Sequence, residues 1–131
     1  MIGILLITHG TLGESLIQCA CHVLNRRPLQ IAQLGVCAQD DPLDVLPEAR
    51  RLLAMVDTGD GAIVLTDIYG ATPSNIAMKL LDSGQVEAVS GANVPMLLRV
   101  LTYREKGDMQ TVITKAVAGA CDGVLHLKGG S

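Results

Sequence analysis

Residues 62–77 read Ala62-Ile-Val-Leu-Thr-Asp67-Ile-Tyr-Gly70-Ala71-Thr72-Pro73-Ser74-Asn75-Ile-Ala77: an apolar run, a carboxylate, a glycine and then a helix start. Ala62 to Leu65, bounded by Gly59-Asp60-Gly61, has the pattern of a short strand covered on both faces, as in a parallel sheet. Such a strand delivers Asp67 at its carboxyl end. Thr72 before Pro73 predicts a helix start, because threonine caps a free N–H and proline at the first helical position gives up no needed bond. The helix is expected to run from Pro73 to about Asp82, with Gly84 past its end. Its first turn leaves backbone N–H groups unpaired at the positive end of the peptide dipoles. Gly70, Ala71, Thr72, Ser74 and Asn75 are therefore the candidate cradle for a dianion, with no lysine required. Many strand-to-helix turns share this form, so the weight falls on the rest of the chain.

At the other end, Met1 to Ile7 is a nearly continuous apolar run, again a buried strand, and it delivers Thr8-His9-Gly10 at its carboxyl end. Thr11 and Glu14 have the spacing of a capping box that opens a helix. A histidine from the first strand and a carboxylate from the third are thus expected at one sheet edge. Ligands of open parallel sheets sit outside the carboxyl ends of the strands, where strand order reverses. The most economical topology puts His9 beside Asp67, with Thr8, Gly10 and Asn93 of the Gly91-to-Pro95 loop as walls of the cleft.

Composition narrows the partners. The 131 residues predict one domain, residues 1–131, with room for a core. That core is built from Leu, Ile, Val, Ala and Met, since the chain has no Phe or Trp. Tyr69 and Tyr103 are the only aromatic rings of that size, and the net charge is −3, which speaks against nucleic acid as a partner. The leading apolar run has no basic segment before it and is too short to span a bilayer. Neither a signal peptide nor direct membrane insertion is expected, and the cytoplasm is the expected location. Cys19, Cys21, Cys37 and Cys121 fit that compartment as reduced thiols. Cys19, Cys21 and His22 fall in a helical pattern where i and i+2 diverge, so small core residues are expected there rather than a metal site.

Between these landmarks, strands and helices alternate. A helix from about Leu12 to Leu24 is expected to turn Leu16, Ala20, Val23 and Leu24 to the sheet, and Leu29 to Val36 is expected as the second strand. Asp40-Asp41-Pro42 starts a helix reaching about Val56, with Pro47 predicting a kink or a start near Leu46. A fourth strand is expected from Val86 to Val89, then helices from Pro95 to Arg104 and Met109 to Ala120. Gly123 to Lys128 is expected to close as a short antiparallel edge strand. The expected fold class is α/β: a doubly wound, mostly parallel four-stranded sheet with helices on both faces.

Thr8-His9-Gly10, the Asp67-to-Asn75 stretch, Gly91-Ala-Asn93-Val-Pro95-Met96 and Leu101 to Glu105 resemble, in order and spacing, the mannose-type IIA domain of the bacterial phosphoenolpyruvate-dependent sugar phosphotransferase system. The resemblance spans almost the whole chain. It implies that His9 accepts a phosphoryl group from the histidine-containing phosphocarrier protein and passes it to a IIB domain, with Asp67 orienting the imidazole. It implies no metal or cofactor, and a homodimer in which the last strand is exchanged. Thr72 stands where the family usually has serine, Ala71 where glycine is common and Tyr69 where tryptophan is common. Other uses of such a chain stay open. One is the phosphoryl-donor subunit of dihydroxyacetone kinase, whose members typically carry Ser-His-Ser at the histidine and Gly-Ser-Ala where this chain has Gly70-Ala71-Thr72-Pro73. The others are a regulatory module whose phosphorylation state a partner reads, and a passive phosphosugar-binding domain.

Overall fold

The computed structural model describes residues 1–130. The chain runs β1 (Gly3–His9), α1 (Leu12–Leu24), β2 (Ile31–Val36), α2 (Pro42–Val56), β3 (Ala62–Thr66), α3 (Thr72–Lys79), β4 (Val86–Ser90), α4 (Val94–Tyr103) and α5 (Met109–Asp122). The four strands pair in the order β2-β1-β3-β4, all parallel.

β1 and β3 hold the centre, and their unbroken apolar sequences follow from being covered on both faces. Period-two alternation divides them. Ile4 and Leu6 pack with Ile63 and Leu65 into one core closed by α1, α4 and α5. Leu5, Ile7 and Val64 pack into a second core closed by α2 and α3. The register pairs Ile7 with Thr66, the last residue of β3, and β1 runs on beside β2 to His9.

Several expectations change on folding. Gly123 to Lys128 is not a strand, and the sheet is wholly parallel. A strand exists through its pairing, and this segment finds none among the described residues: the Gly123 N–H closes α5 on the Gly119 carbonyl, the Val124 N–H makes a turn bond to the Cys121 carbonyl, and Val124, Leu125 and Leu127 are exposed. α3 ends at Lys79, short of Asp82, because Leu80 turns inward to full burial and the chain closes through short bonds from Leu80 N–H to the Ala77 carbonyl and from Ser83 N–H to the Leu80 carbonyl. β2 begins at Ile31, after Gln30 at φ 50°.

Helix starts show the same division between local and long-range control. Asp41 caps α2 by accepting the Leu43 N–H at 2.9 Å, and α2 runs unbroken from Pro42 through Pro47 to Val56, so the later start near Leu46 is not used. At α1, Thr11 occupies the cap position at φ −100°, ψ 9°, and its hydroxyl makes no capping bond. Capping needs an extended backbone there to aim the side chain at the helix. Glu14 pairs instead with Arg27 at 3.3 Å. The α1 stripe that reaches the core is Gly13, Leu16, Ile17 and Ala20; Val23 is exposed and Leu24 half-buried, as the last turn runs beyond the packed layer. Cys37 and Cys121 are exposed; of the two α1 cysteines, Cys19 is exposed and Cys21 packs only partly on the core, because the sheet-facing stripe of α1 falls on other positions.

Candidate functional site

After β1 the chain crosses by α1 to β2 on one side, then by α2 to β3 on the other. The strand order therefore reverses between β1 and β3. His9 is the last residue of β1, and Asp67 follows the last residue of β3. Across 58 residues of sequence, Asp67 Oδ2 lies 2.9 Å from His9 Nδ1 and accepts the His9 backbone N–H at 3.0 Å. The other carboxylate oxygen, Oδ1, accepts the Ile68 N–H at 3.0 Å. The Asp67 side chain is 8% exposed and that of His9 40%, so the carboxylate is enclosed while the ring reaches solvent.

Burial pushes the Asp67 carboxyl up, but the His9 backbone N–H and the His9 ring outweigh it, and the group is held below the usual carboxylate range. An ionised carboxylate against Nδ1 needs a proton on that nitrogen. Nε2 then carries the free lone pair on the exposed side of the ring.

Three comparisons bear on this pair. A model of the EIIA-man family, described as the PTS system fructose IIA component, matches residues 3–117. The chain belongs to this family. It is 27% identical over 129 residues to the PTS system mannose-specific EIIAB component of Escherichia coli K12, covering 97% of this chain and 40% of that relative. The chain thus spans well under half the length of the curated relatives it matches. Its fold superposes on the mannose/sorbose-specific IIA subunit from Enterococcus faecalis with a TM-score of 0.86 at 18% identity, over 99% of this chain and 97% of that one. Against a phosphotransferase system component EIIA from Streptococcus agalactiae the TM-score is 0.84 at 20% identity, over 96% and 97% of the two chains.

In this IIA component the expected phosphate cradle is the start of α3. Gly70 has φ 84°, where a side chain would be strained, and nothing lies within 4 Å of where its Cβ would be. Ala71, not Thr72, takes the cap position, and no side chain caps the helix. With the helix starting one residue early, the Asn75 N–H already bonds the Ala71 carbonyl at 3.0 Å, and Pro73 has none to offer. The backbone donors open to an anion narrow to Gly70, Ala71, Thr72 and Ser74. Asn75 is exposed and retains its side-chain amide, whereas Ser74 is buried.

The remaining wall residues are committed elsewhere. Thr8 is fully buried and faces α1, since strand alternation sets it on the same side as Leu6; its hydroxyl accepts the Gly13 N–H at 2.7 Å. It does not line the cleft. Asn93 caps α4 through the Met96 N–H at 2.9 Å and reaches the Ala120 carbonyl at 3.3 Å. Gly10 is exposed at φ 54°, with its N–H on the Val36 carbonyl at 3.0 Å.

Two features escaped sequence reasoning: the Thr8 cap and an apolar rim. Leu12, Ile68 and Tyr69, which flank the pair in sequence, are all exposed. A recess of about 320 Å³ lined by Asp60, Gln85, Arg104 and Lys106 lies at the opposite, amino-terminal edge of the strands. No helix among the described residues is long and apolar enough to cross a membrane.

Proposed function

We propose that this chain is a phosphoryl relay, in which His9 takes a phosphoryl group from the histidine-containing phosphocarrier protein and gives it to a IIB domain. The observation that carries this is the 2.9 Å contact between His9 Nδ1 and Asp67 Oδ2, with the ring open to solvent on its far side. Nε2 attacks phosphorus as the donor's P–N bond breaks, so the P–Nε2 bond forms and the donor imidazole keeps the electron pair. The proton on Nδ1 stays in place, and the ring becomes cationic as it takes the group. Asp67 balances that charge and holds the tautomer.

The open N–H groups of Gly70, Ala71, Thr72 and Ser74 are the proposed partners of the equatorial oxygens, and the Thr72 hydroxyl adds a further donor. Leu12, Ile68 and Tyr69 form the surface on which partner proteins exclude water. Both partners are cytoplasmic in this scheme, which assigns the chain to that compartment. Transfer to a IIB domain makes the component part of sugar uptake, while the sugar itself is handled by other parts of the system.

A homodimer is part of the proposal. Val124, Leu125 and Leu127 are exposed, and among the described residues β4 pairs only with β3, leaving its outer edge open. Such an edge accepts a strand, so the segment after α5 is proposed to pair with a second copy. Sedimentation of the intact chain reads this directly.

The test of the relay is incubation with phosphoenolpyruvate, enzyme I and the phosphocarrier protein, followed by intact-mass measurement before and after mild acid. The expected result is an acid-labile gain of one phosphoryl group that is absent from His9→Ala. No gain, or a gain that survives in His9→Ala, overturns the assignment.

A further inference from the structure

The turn between His9 and α1 is held in an unusual way. Its cap residue, Thr11, supplies only its carbonyl, which accepts the Ser15 N–H at 3.1 Å, and no side chain. The N–H that a capping side chain would normally satisfy, that of Gly13 in the first turn, is taken by Thr8 from inside β1, at 2.7 Å and with no solvent exposure of the residue. The fit is close. A Cβ on Gly13 would stand 3.0 Å from Thr8 Oγ1 and 3.2 Å from Gln33 Cβ, so glycine is what lets α1 approach this hydroxyl.

His9 lies between these anchors. Its own N–H and ring are tied to Asp67, and the next N–H, of Gly10, is tied to the Val36 carbonyl on β2. We propose that Thr8 is a positioning residue for the phosphoryl carrier: its buried hydroxyl fixes the start of α1 against β1 and so sets the turn that holds the His9 ring on Asp67. The hydroxyl acts through the backbone on either side of His9 and touches no reacting atom. The inference rests on His9 as the carrier. It extends that reading by making the tautomer of His9 depend on a group on the far side of the strand.

Thr8→Val keeps the shape and removes the acceptor, leaving the Gly13 N–H facing a methyl group in the interior. The start of α1 then shifts, and His9 loses its fixed distance to Asp67. A misplacement of about 1 Å slows an oriented transfer by roughly 10- to 100-fold. The measurements are the single-turnover phosphorylation rate at saturating phosphocarrier protein, the ring ¹⁵N shifts of His9 in unphosphorylated protein, and thermal stability. For Thr8→Val the expected result is a rate loss of that size without a matching rise in KM, together with a His9 ring that has lost the pure Nδ1–H form. Thr8→Ser, which restores the acceptor, is expected to recover both.

A Thr8→Val protein that is less stable but keeps the wild-type rate and wild-type ring shifts overturns the proposal. Should Thr8→Val not fold, Gly13→Ala perturbs the same contact from the other side, and wild-type ring shifts in that variant are equally fatal. The ring shifts need no phosphoryl donor. Failure of wild-type protein to become phosphorylated therefore sinks the relay, while the Thr8 question is still decided by the shifts.

Discussion

Replacing Asp67 by asparagine exchanges one carboxylate oxygen for an amide nitrogen and removes the charge, in a side chain that is 8% exposed and accepts three N–H groups. Two of those donors belong to His9 and meet Oδ2, while the third, from Ile68, meets Oδ1. An amide cannot serve all three. With its oxygen towards His9, the amide keeps the Nδ1–H tautomer and turns NH₂ against the Ile68 N–H, which lies at the surface. What is lost is the counter-charge to the imidazolium formed during transfer. A hydrogen bond to a charged group contributes about 1.5–3 kcal/mol, which corresponds to roughly 10- to 150-fold in rate. With the amide reversed, NH₂ donates to Nδ1, the proton moves to Nε2 and the nucleophile is gone; such a tautomer error has cost on the order of 10⁴-fold in a histidine site elsewhere. The assay is rapid-quench phosphorylation of Asp67→Asn and wild type at saturating phosphocarrier protein, with circular dichroism to confirm folding. A rate within about twofold of wild type would remove Asp67 from the mechanism, since no interaction special to the transfer would then have been lost.

The remaining predictions concern pH, the carrier and the core. Asp67 is held below the usual carboxylate range, so its contribution to stability is fully present above the unfolded-state value, near ~4, and is lost as pH falls through the lower folded-state value. Urea titrations are therefore expected to show a stability gap between wild type and Asp67→Asn that is widest near neutrality and narrows in strong acid; a gap that widens on acidification contradicts the sign. His9→Ala is expected to fold with a loss of about 1 kcal/mol or less, because the ring is 40% exposed and Asp67 keeps its two backbone donors, and to accept no phosphoryl group. Loss of cooperative unfolding in that variant would count against the placement of His9 at the rim. Leu97, on α4 and fully buried in the core that α1, α4 and α5 close over the sheet, is expected to cost roughly 2–5 kcal/mol on change to alanine, and a urea midpoint shift worth under about 1 kcal/mol would mean the layer is looser than its burial shows.

Elements whose signals are local came through from the amino-acid order. The apolar runs of β1 and β3 marked strands covered on both faces. Asp41-Pro42 marked the start of α2, because a cap and a proline act on the turn they begin. Where one turn has several donors and acceptors to choose from, local pattern misled. Thr11 and Glu14 have capping-box spacing, yet the acceptor for Gly13 comes from Thr8, on β1 and five residues earlier, because strand alternation aims that hydroxyl at α1 and burial obliges it to bond. Thr72 has the composition of a cap, yet Ala71 takes that position and the set of free N–H groups moves with it.

The sequence by itself determined that a histidine ends one buried strand, that a carboxylate follows another, and that a helix begins shortly after each, since these depend on the period of side chains along a chain and on the chemistry of its turns. Only the tertiary structure decided that β1 and β3 are neighbours in register with Ile7 opposite Thr66, which brings groups 58 residues apart to 2.9 Å. It also decided that Gly123 to Lys128, strand-like in composition, pairs with no strand among the described residues. The reason is common to both. A strand's partner is chosen by which surfaces the whole core brings together, and no local window of sequence contains that choice.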